Sequence, residues 1–505
     1  MASGSIKSSV KDTLIYGMGN IAIKLVGFIL IPFYTNTAYF SVAEFGALGI
    51  LEITAQVLAV VLGLSLPQSL FRWYWDKDYS DKQKSVFFTS LAAQTAVSLL
   101  FCLIFILLAK QISVLIFSDE RFYEEIILLT VSTGLQSLNT LVSSLLRLQS
   151  RAPAYTVTNT LKLVVVLGIT LFLVIGKKMG IAGIYTAQII GNGLYLLVLF
   201  PYIFRNIQVH LDLKALRGMI SYGAPLLWAA LFTVILNVID RYSLNFLSAL
   251  ESVAVYTLAF KIASTLKLVV ADSIKLAVGP LIIKKMDLPG HERFYTKIWL
   301  YSSFVLMFGI VGLSLFSQEV VSLVSSSAFY DKAFFLIPVL TLSVFFVNLK
   351  DLNVYGLVIS KKTGAMGLIV AIASAAGVGL NALLIPVLNT FGAALASFTA
   401  QLLFWLMVYK ISQKHYPLKY ETRKLLLIII IGTAFAFSGF LLRDLDLLPR
   451  IGIKLLLLAA YPLAYLPLHF YEKAEIDAFK GFVRKWSRLR NLKSNIRSVS
   501  GDLDS

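Results

Sequence analysis

Fourteen stretches of this chain are apolar enough and long enough to cross a lipid bilayer. That feature constrains everything else the sequence can do. A spanning helix needs about 20 mostly apolar residues, at about 1.5 Å of rise per residue. The runs fall at roughly 13–37, 44–70, 85–109, 123–146, 154–176, 181–204, 218–240, 249–279, 295–317, 334–359, 364–386, 391–411, 424–442 and 451–470. Most connections are short, so no sizeable soluble domain is inserted. The first run carries Lys24 in its middle and no small-residue cleavage site after a compact apolar core. It is therefore expected to stay as a span rather than leave as a signal peptide.

Hydrophobic residues make up 58% of the chain and charged residues only 14%. A soluble domain carries about 25% charged residues. A disordered chain, a secreted disulfide scaffold and an ordinary cytosolic enzyme are all excluded. The single cysteine, Cys102, permits no intrachain disulfide and no thiolate metal site. His210, His291, His415 and His469 are scattered without ligand spacing. No metal, cofactor or catalytic constellation is expected.

Against this apolar background the net charge is unusual, at +18 from 45 Lys and Arg and 27 Asp and Glu. A basic balance often marks a nucleic-acid partner, but that needs a soluble basic face. The cations sit elsewhere. With the N-terminus in the cytoplasm, about 30 fall on the cytoplasmic side, about 9 outside and about 6 within spans. The loops around Arg72–Lys84, Arg147 and Arg151, Arg205–Arg217, Lys284–Lys297, Lys361 and Lys362, and Lys410–Lys424 carry the excess. A multi-pass protein of the cytoplasmic membrane with both termini cytoplasmic is expected, with no nucleic acid bound. After the last span, Ile476, Phe479, Val483, Trp486 and Leu489 recur at helical spacing among Lys473, Lys480, Arg484, Lys485, Arg488 and Arg490. That pattern predicts a basic amphipathic helix on anionic lipid.

The two halves echo each other. Tyr16-Gly17 and Tyr222-Gly223, Phe122-Tyr123 and Phe329-Tyr330, and Gly183 and Gly392 recur at nearly one offset, about 207 residues, each at the equivalent span. Spans 1–6 and 7–12 therefore read as two copies of one six-helix bundle. Six is even, so the copies are parallel and related by an axis along the membrane normal. The expected organisation is a cytoplasmic tail (1–12), an N-terminal bundle (13–210), a C-terminal bundle (211–415), two appended spans (416–470) and the basic tail (471–505). In transporters built this way the substrate site lies between the halves.

Ionisable groups at membrane depth are costly unless they face a cavity or a partner. Lys24 lies about 16 Å into span 1 and shares a face with Tyr16 and Asn20. Glu52 lies about 12 Å into span 2 and shares a face with Gln56. A Lys24–Glu52 pair is sterically reasonable, either as mutual neutralisation or in a substrate or coupling role. On span 8, Lys261, Thr265, Asp272 and Lys275 fall within about 80° of arc, with Lys267 to one side. This polar stripe predicts a water-filled cavity, although Lys275 is near enough to the interface to snorkel. Lys162 stands alone in span 5, where lining the cavity and snorkelling are equally open. Span 10 gathers Asn348, Lys350, Asp351 and Asn353. Lys350 and Asp351 point about 100° apart and need not pair. A buried network and a transport role both remain open there. Asp240-Arg241 is expected at the outer end of span 7, as a local ion pair or a helix-end contact. The deep groups are net cationic, which suits an anionic substrate such as a phosphorylated lipid headgroup or an acidic sugar.

Four stretches carry a resemblance: Tyr16-Gly17 through Phe45-Gly46; GLSLPQSLFRWY (63–74); IDRYSLNFLSALESVAVYTLAFKI (239–262); and Phe391 to Tyr409. Together they resemble the polysaccharide (O-antigen type) flippases of the multidrug/oligosaccharidyl-lipid/polysaccharide exporter superfamily. The resemblance implies a V-shaped pair of bundles, with spans 1, 2, 7 and 8 around a cationic cavity. It further implies an undecaprenyl-pyrophosphate-linked oligosaccharide as substrate, moved by alternating access. By position, Lys24, Glu52 and Lys261 fall on the cavity helices, and the family often has Arg where this chain has Lys. Polysaccharide assembly proteins are the implied partners, and a monomer is expected. No ATP-binding motif is present, so energy would come from an ion gradient, the membrane potential or downstream consumption. A lipid II flippase shares the fourteen-span plan. A drug or organic-cation antiporter would want carboxylates to dominate the cavity, and a membrane polymerase or ligase would want a large outer loop.

Overall fold

A computed structural model describes residues 28, 30–285, 290–362, 364–473 and 476–477. Asn20 and Lys24 in the first span, and nearly all of the basic tail, lie outside the described residues. The described chain is helical throughout and contains no strand. Twelve of its helices are long and apolar enough to cross a membrane. One of them turns back on itself and supplies two crossings, so thirteen of the fourteen expected spans are accounted for. A short helix, α1 (Ile31–Tyr34), ends the remaining one.

The second span is α2 (Val42–Gly63) followed by α3 (Leu66–Trp73). Its start is written in sequence: Ser41 Oγ accepts from the Glu44 amide, and Glu44 Oε2 accepts from the Ser41 amide at 2.7 Å. This reciprocal cap satisfies two amides that would otherwise be orphaned. The two helices are separated at Leu64 and Ser65, both left-handed, with φ of 47° and 52°. Pro67 then sits in the first turn of α3, where its missing N–H costs nothing. The expected run 44–70 is thus one span with a break.

Next come α4 (Gln83–Leu107), α5 (Ala109–Phe117), α6 (Tyr123–Leu148), α7 (Ala152–Leu171) and α8 (Gly180–Arg205). The helix α9 (Leu213–Leu247) is about 52 Å long, well beyond a hydrocarbon core of about 30 Å. Span 8 is α10 (Leu250–Leu266), a π-helical turn (Lys267–Ala271) and α11 (Asp272–Lys285). The remaining helices are α12 (His291–Leu315), α13 (Ser317–Val324), α14 (Ile337–Ile359), α15 (Ala365–His415), α16 (Thr422–Ser438) and α17 (Leu447–Leu463). In α15 the chain folds back at Asn389, with φ 49° and ψ −127°, between the expected runs 364–386 and 391–411.

The loops with the cation excess share one end of the molecule, the basic end. At the opposite, far end, one continuous apolar core joins both halves. It includes Tyr34, Phe45 and Ile50 from the first part of the chain, and Leu244, Tyr256, Tyr330 and Ile337 from the second. Another core packs Trp299 of α12 and Phe345 of α14 against Trp405, Tyr461 and Tyr465, and so docks the appended spans.

Candidate functional site

Between the halves α2 and α10 meet almost backbone to backbone. A Cβ added at Gly46 would lie 2.0 Å from the Leu250 carbonyl oxygen, and one at Gly49 would lie 2.5 Å from Thr257 Oγ1. Only glycine permits this approach. Within one turn beyond Gly49 on α2, Glu52 faces Lys261 of α10. Lys261 Nζ and Glu52 Oε1 are 2.7 Å apart. Glu52 thus has a partner on span 8, where the sequence offered Lys24 on span 1. Sequence depth places both lysines near the midplane; the glycine contact brings Lys261 to it.

This pair borders a cavity of about 450 Å³. Glu52 and Gln56 line it from α2, Asn237 and Arg241 from α9, and Phe260, Lys261 and Thr265 from α10. Lys267 and Asp272 bracket the π-helical turn and complete the wall. A π-turn adds one residue to the helix repeat and is frequent at functional positions. Here it separates Lys261 from Asp272 by an irregular stretch of backbone. Lys261 Nζ also lies 5.7 Å above the Tyr34 ring. Five of the candidate site residues from spans 2 and 8, Glu52, Gln56, Lys261, Lys267 and Asp272, are thus brought together.

Asp240 and Arg241 are not at a helix end. Because α9 runs on to Leu247, the two are 2% and 4% exposed, inside the structure. Tyr256 donates its hydroxyl to Asp240 Oδ2. Arg241 Nε stands 3.6 Å from Asp240 Oδ1, and its Cζ lies 4.3 Å above the Phe260 ring. The length of α9 is what the apolar run 218–240 understated, because its polar continuation through Arg241, Asn245 and Ser243 is still helical.

The span 10 cluster is a separate network. Lys350 and Asp351 do pair, at 2.7 Å, and Lys275 reaches the other Asp351 oxygen at 3.2 Å. Neighbours on a helix diverge at Cα, but the long lysine stem closes the gap. Trp405 Nε1 donates to Asn353 Oδ1 at 3.0 Å, while Asn348 is buried beside it on α14. Lys162 lies 5.1 Å from the Tyr195 ring, between α7 and α8. None of these residues lines the cavity described above.

Two ion networks escaped the sequence reading. Lys454, 1% exposed in α17, holds both oxygens of Glu319 at 2.8 and 2.7 Å, and Arg450 joins at 2.8 Å. At the basic end Lys297 binds Glu421 at 2.8 Å and also Glu472, just after the last span. The hydrogen bond from Lys297 holds the Glu472 carboxyl below its ordinary range. A lysine inside the last apolar run was a visible signal for the first network. Its partner, 135 residues away, was not.

Comparison with known proteins adds the family. The family model described as "Polysaccharide biosynthesis protein" matches residues 9–286. No curated protein matches the chain. Among solved structures, the lipid II flippase MurJ in an inward closed conformation is 16% identical, with a TM-score of 0.70 over 90% of this chain and 99% of that one. A MATE transporter of Vibrio cholerae is 13% identical, with a TM-score of 0.57 over 82% of this chain and 98% of that one. A transporter of the MOP superfamily from Pyrococcus furiosus, described as having a binding pocket of reversed polarity, is 12% identical, with a TM-score of 0.55 over 80% and 95%. These likenesses concern the fold. The chain belongs to the polysaccharide biosynthesis protein family, and its helical architecture is like that of the solved MurJ and MATE transporter structures.

Proposed function

We propose that this protein flips a lipid-linked oligosaccharide or polysaccharide repeat unit, of the undecaprenyl-pyrophosphate type, from the cytoplasmic to the outer leaflet by alternating access. The observation that carries this reading is the Lys261–Glu52 pair, which joins the two halves across a cavity that also holds Lys267 and Arg241. An anionic headgroup entering that cavity competes with Glu52 for Lys261. Each ion pair formed with the headgroup loosens a tie between the halves, so binding and rocking are linked.

The far end supports the same reading. Thr35 Oγ1 donates to the Val324 carbonyl at 3.3 Å, and Ser326 Oγ donates to the Pro32 carbonyl at 3.0 Å. With the basic end in the cytoplasm, as the positive-inside rule requires, these contacts close the outer face. The bundles 13–210 and 211–415 are then the two rocking bodies, and the basic tail rests on anionic lipid of the cytoplasmic leaflet.

Reconstitution into vesicles tests the substrate class. The purified protein should move a fluorescent polyprenyl-pyrophosphate-linked glycan between leaflets and leave an organic cation where it is. Equal or faster movement of the cation would overturn the proposal. Selective movement of lipid II would replace its glycan with the peptidoglycan precursor.

A further inference from the structure

At the far end, one stretch of the C-terminal half is held from two sides. It begins at Phe316, where α12 ends, and runs through α13 into a 3₁₀ stretch, Ala328–Phe335. One side meets the N-terminal half, through the Thr35–Val324 and Ser326–Pro32 hydrogen bonds. The Ser326 amide adds a bond to Thr35 Oγ1 at 3.2 Å, and Tyr330 stands edge-on to Phe45 of α2, centroids 5.7 Å apart. The other side meets the appended spans. A Cβ added at Gly439, just past α16, would lie 3.2 Å from Leu315 Cα, so the turn rests on backbone beside Phe316. Phe440 packs on Phe334 and Phe335, with centroids 5.9 and 5.2 Å apart. Arg443 Cζ lies 5.9 Å from the Phe335 ring. In the first two turns of α17, Arg450 and Lys454 hold Glu319 of α13 at 2.8 and 2.7 Å. Lys454 Nζ also lies 6.0 Å from the Phe316 ring.

We propose that the turn between the appended spans is a clasp that carries the outer gate. It holds Leu315–Phe335 where that stretch meets α1, and the stretch travels with it when the halves part. A helix of eight residues set off by a break has little hold on its own direction, so its neighbours set it. The two sides are unequal. Towards the N-terminal half the hydrogen bonds are neutral, at 3.0 to 3.3 Å. Towards α17 they are charge-assisted and shorter, and such bonds are about twice as strong. The neutral side therefore gives way first. The appended spans, which lie outside the repeat, thus set how readily the outer face opens. This rests on reading the far end as the closed outer face, and not on which lipid-linked substrate is moved.

The test is a distance across the gate in the full-length protein in nanodiscs, without substrate. Spin labels go on Ala38→Cys and Ser322→Cys, both exposed, with Cys102→Ser removing the native thiol. The unaltered clasp should give one main distance. Glu319→Gln with Lys454→Met takes away both members of the closest pair, so no carboxylate is stranded. It should add a second, longer distance while the melting temperature stays near that of wild type. Phe440→Ala, which loosens the clasp without touching a charge, should shift the distances the same way, and it decides if the double variant does not fold. An unchanged distance in the folded variants would overturn the proposal and leave the network as a brace for α17 alone. Because no substrate is present, a failure of glycan flipping bears on the proposed function and leaves this reading intact.

Discussion

At the residue scale the pivotal feature is one ion pair between two helices that belong to different halves of the repeat. Its side chains are neither fully buried nor free in water. The pair therefore lies between a surface bridge, worth about 0–1 kcal/mol, and a buried one, whose disruption costs about 3–5 kcal/mol. Lys261→Ala should lower stability by about 1–2 kcal/mol by stranding Glu52. Exchanging the charges, Glu52→Lys with Lys261→Glu, should restore the melting temperature but not transport, since the cation would then sit on α2. Thermal unfolding in detergent and flipping in vesicles, measured on the same preparations, separate the two effects. Transport recovered together with stability would mean that the pair is only a brace. Sequence spacing gave both members similar expected depths, yet the pairing itself was not legible. Depth follows from counting along one helix, whereas the partner that Lys261 takes depends on which neighbour comes close. Gly46 and Gly49 decide that, and two glycines in a run of apolar residues carry no label for their partner.

At the scale of elements, the helices were legible wherever apolar period and caps agreed, as at Ser41 and Glu44. They were less so where the backbone departs from regularity. The left-handed pair Leu64–Ser65, the π-turn at Lys267–Ala271 and the polar extension of α9 past Asp240 leave no mark in a count of apolar residues. Each of these irregularities adjoins the cavity or the helices that frame it. Two predictions belong here. Gly46→Ala places a methyl on the Leu250 carbonyl and must push α2 from α10, so it should cost about 1–3 kcal/mol. Spin labels across the far end should report a larger separation than in wild type; an unchanged distance would show that the approach of α2 to α10 does not hold that end shut. The appended α17 is pinned by Lys454, buried against Glu319. Lys454→Met should destabilise by about 3 kcal/mol because it strips a partner from Glu319, and adding Glu319→Gln should recover most of that loss. Denaturation of the three variants forms the cycle, and a double variant as unstable as the single one would contradict the pairing.

At the scale of the whole molecule, the cations behind the net charge of +18 include the basic loops and the cavity lysines Lys261 and Lys267. The basic end also has its own fastening, in which Lys297 gathers Glu421 and Glu472. Lowered carboxyl pKa values give that fastening a pH dependence of definite sign. For Glu421, burial works against ionisation, but hydrogen bonds from Lys297 and Lys424 outweigh it and hold the carboxyl low; for Glu472 the Lys297 hydrogen bond leads. Such groups contribute stability above the unfolded carboxylate value of about 4.3 and lose it as the pH falls through the lower folded value. Thermal unfolding followed from pH 7 downward should therefore steepen in its decline below about pH 4.3, and Glu472→Gln should flatten that decline. A variant that falls as steeply as wild type would show that the fastening adds nothing.

The central claim is that a lysine from one half of the repeat, released from a glutamate of the other, carries an anionic lipid headgroup across. Flipping of a polyprenyl-pyrophosphate-linked glycan by wild type, Lys261→Arg and Lys261→Gln in matched vesicles tests it most directly. Retained transport in Lys261→Arg and a loss of about tenfold or more in Lys261→Gln are predicted, since the charge and not the shape is required. Wild-type rates in Lys261→Gln would contradict the account.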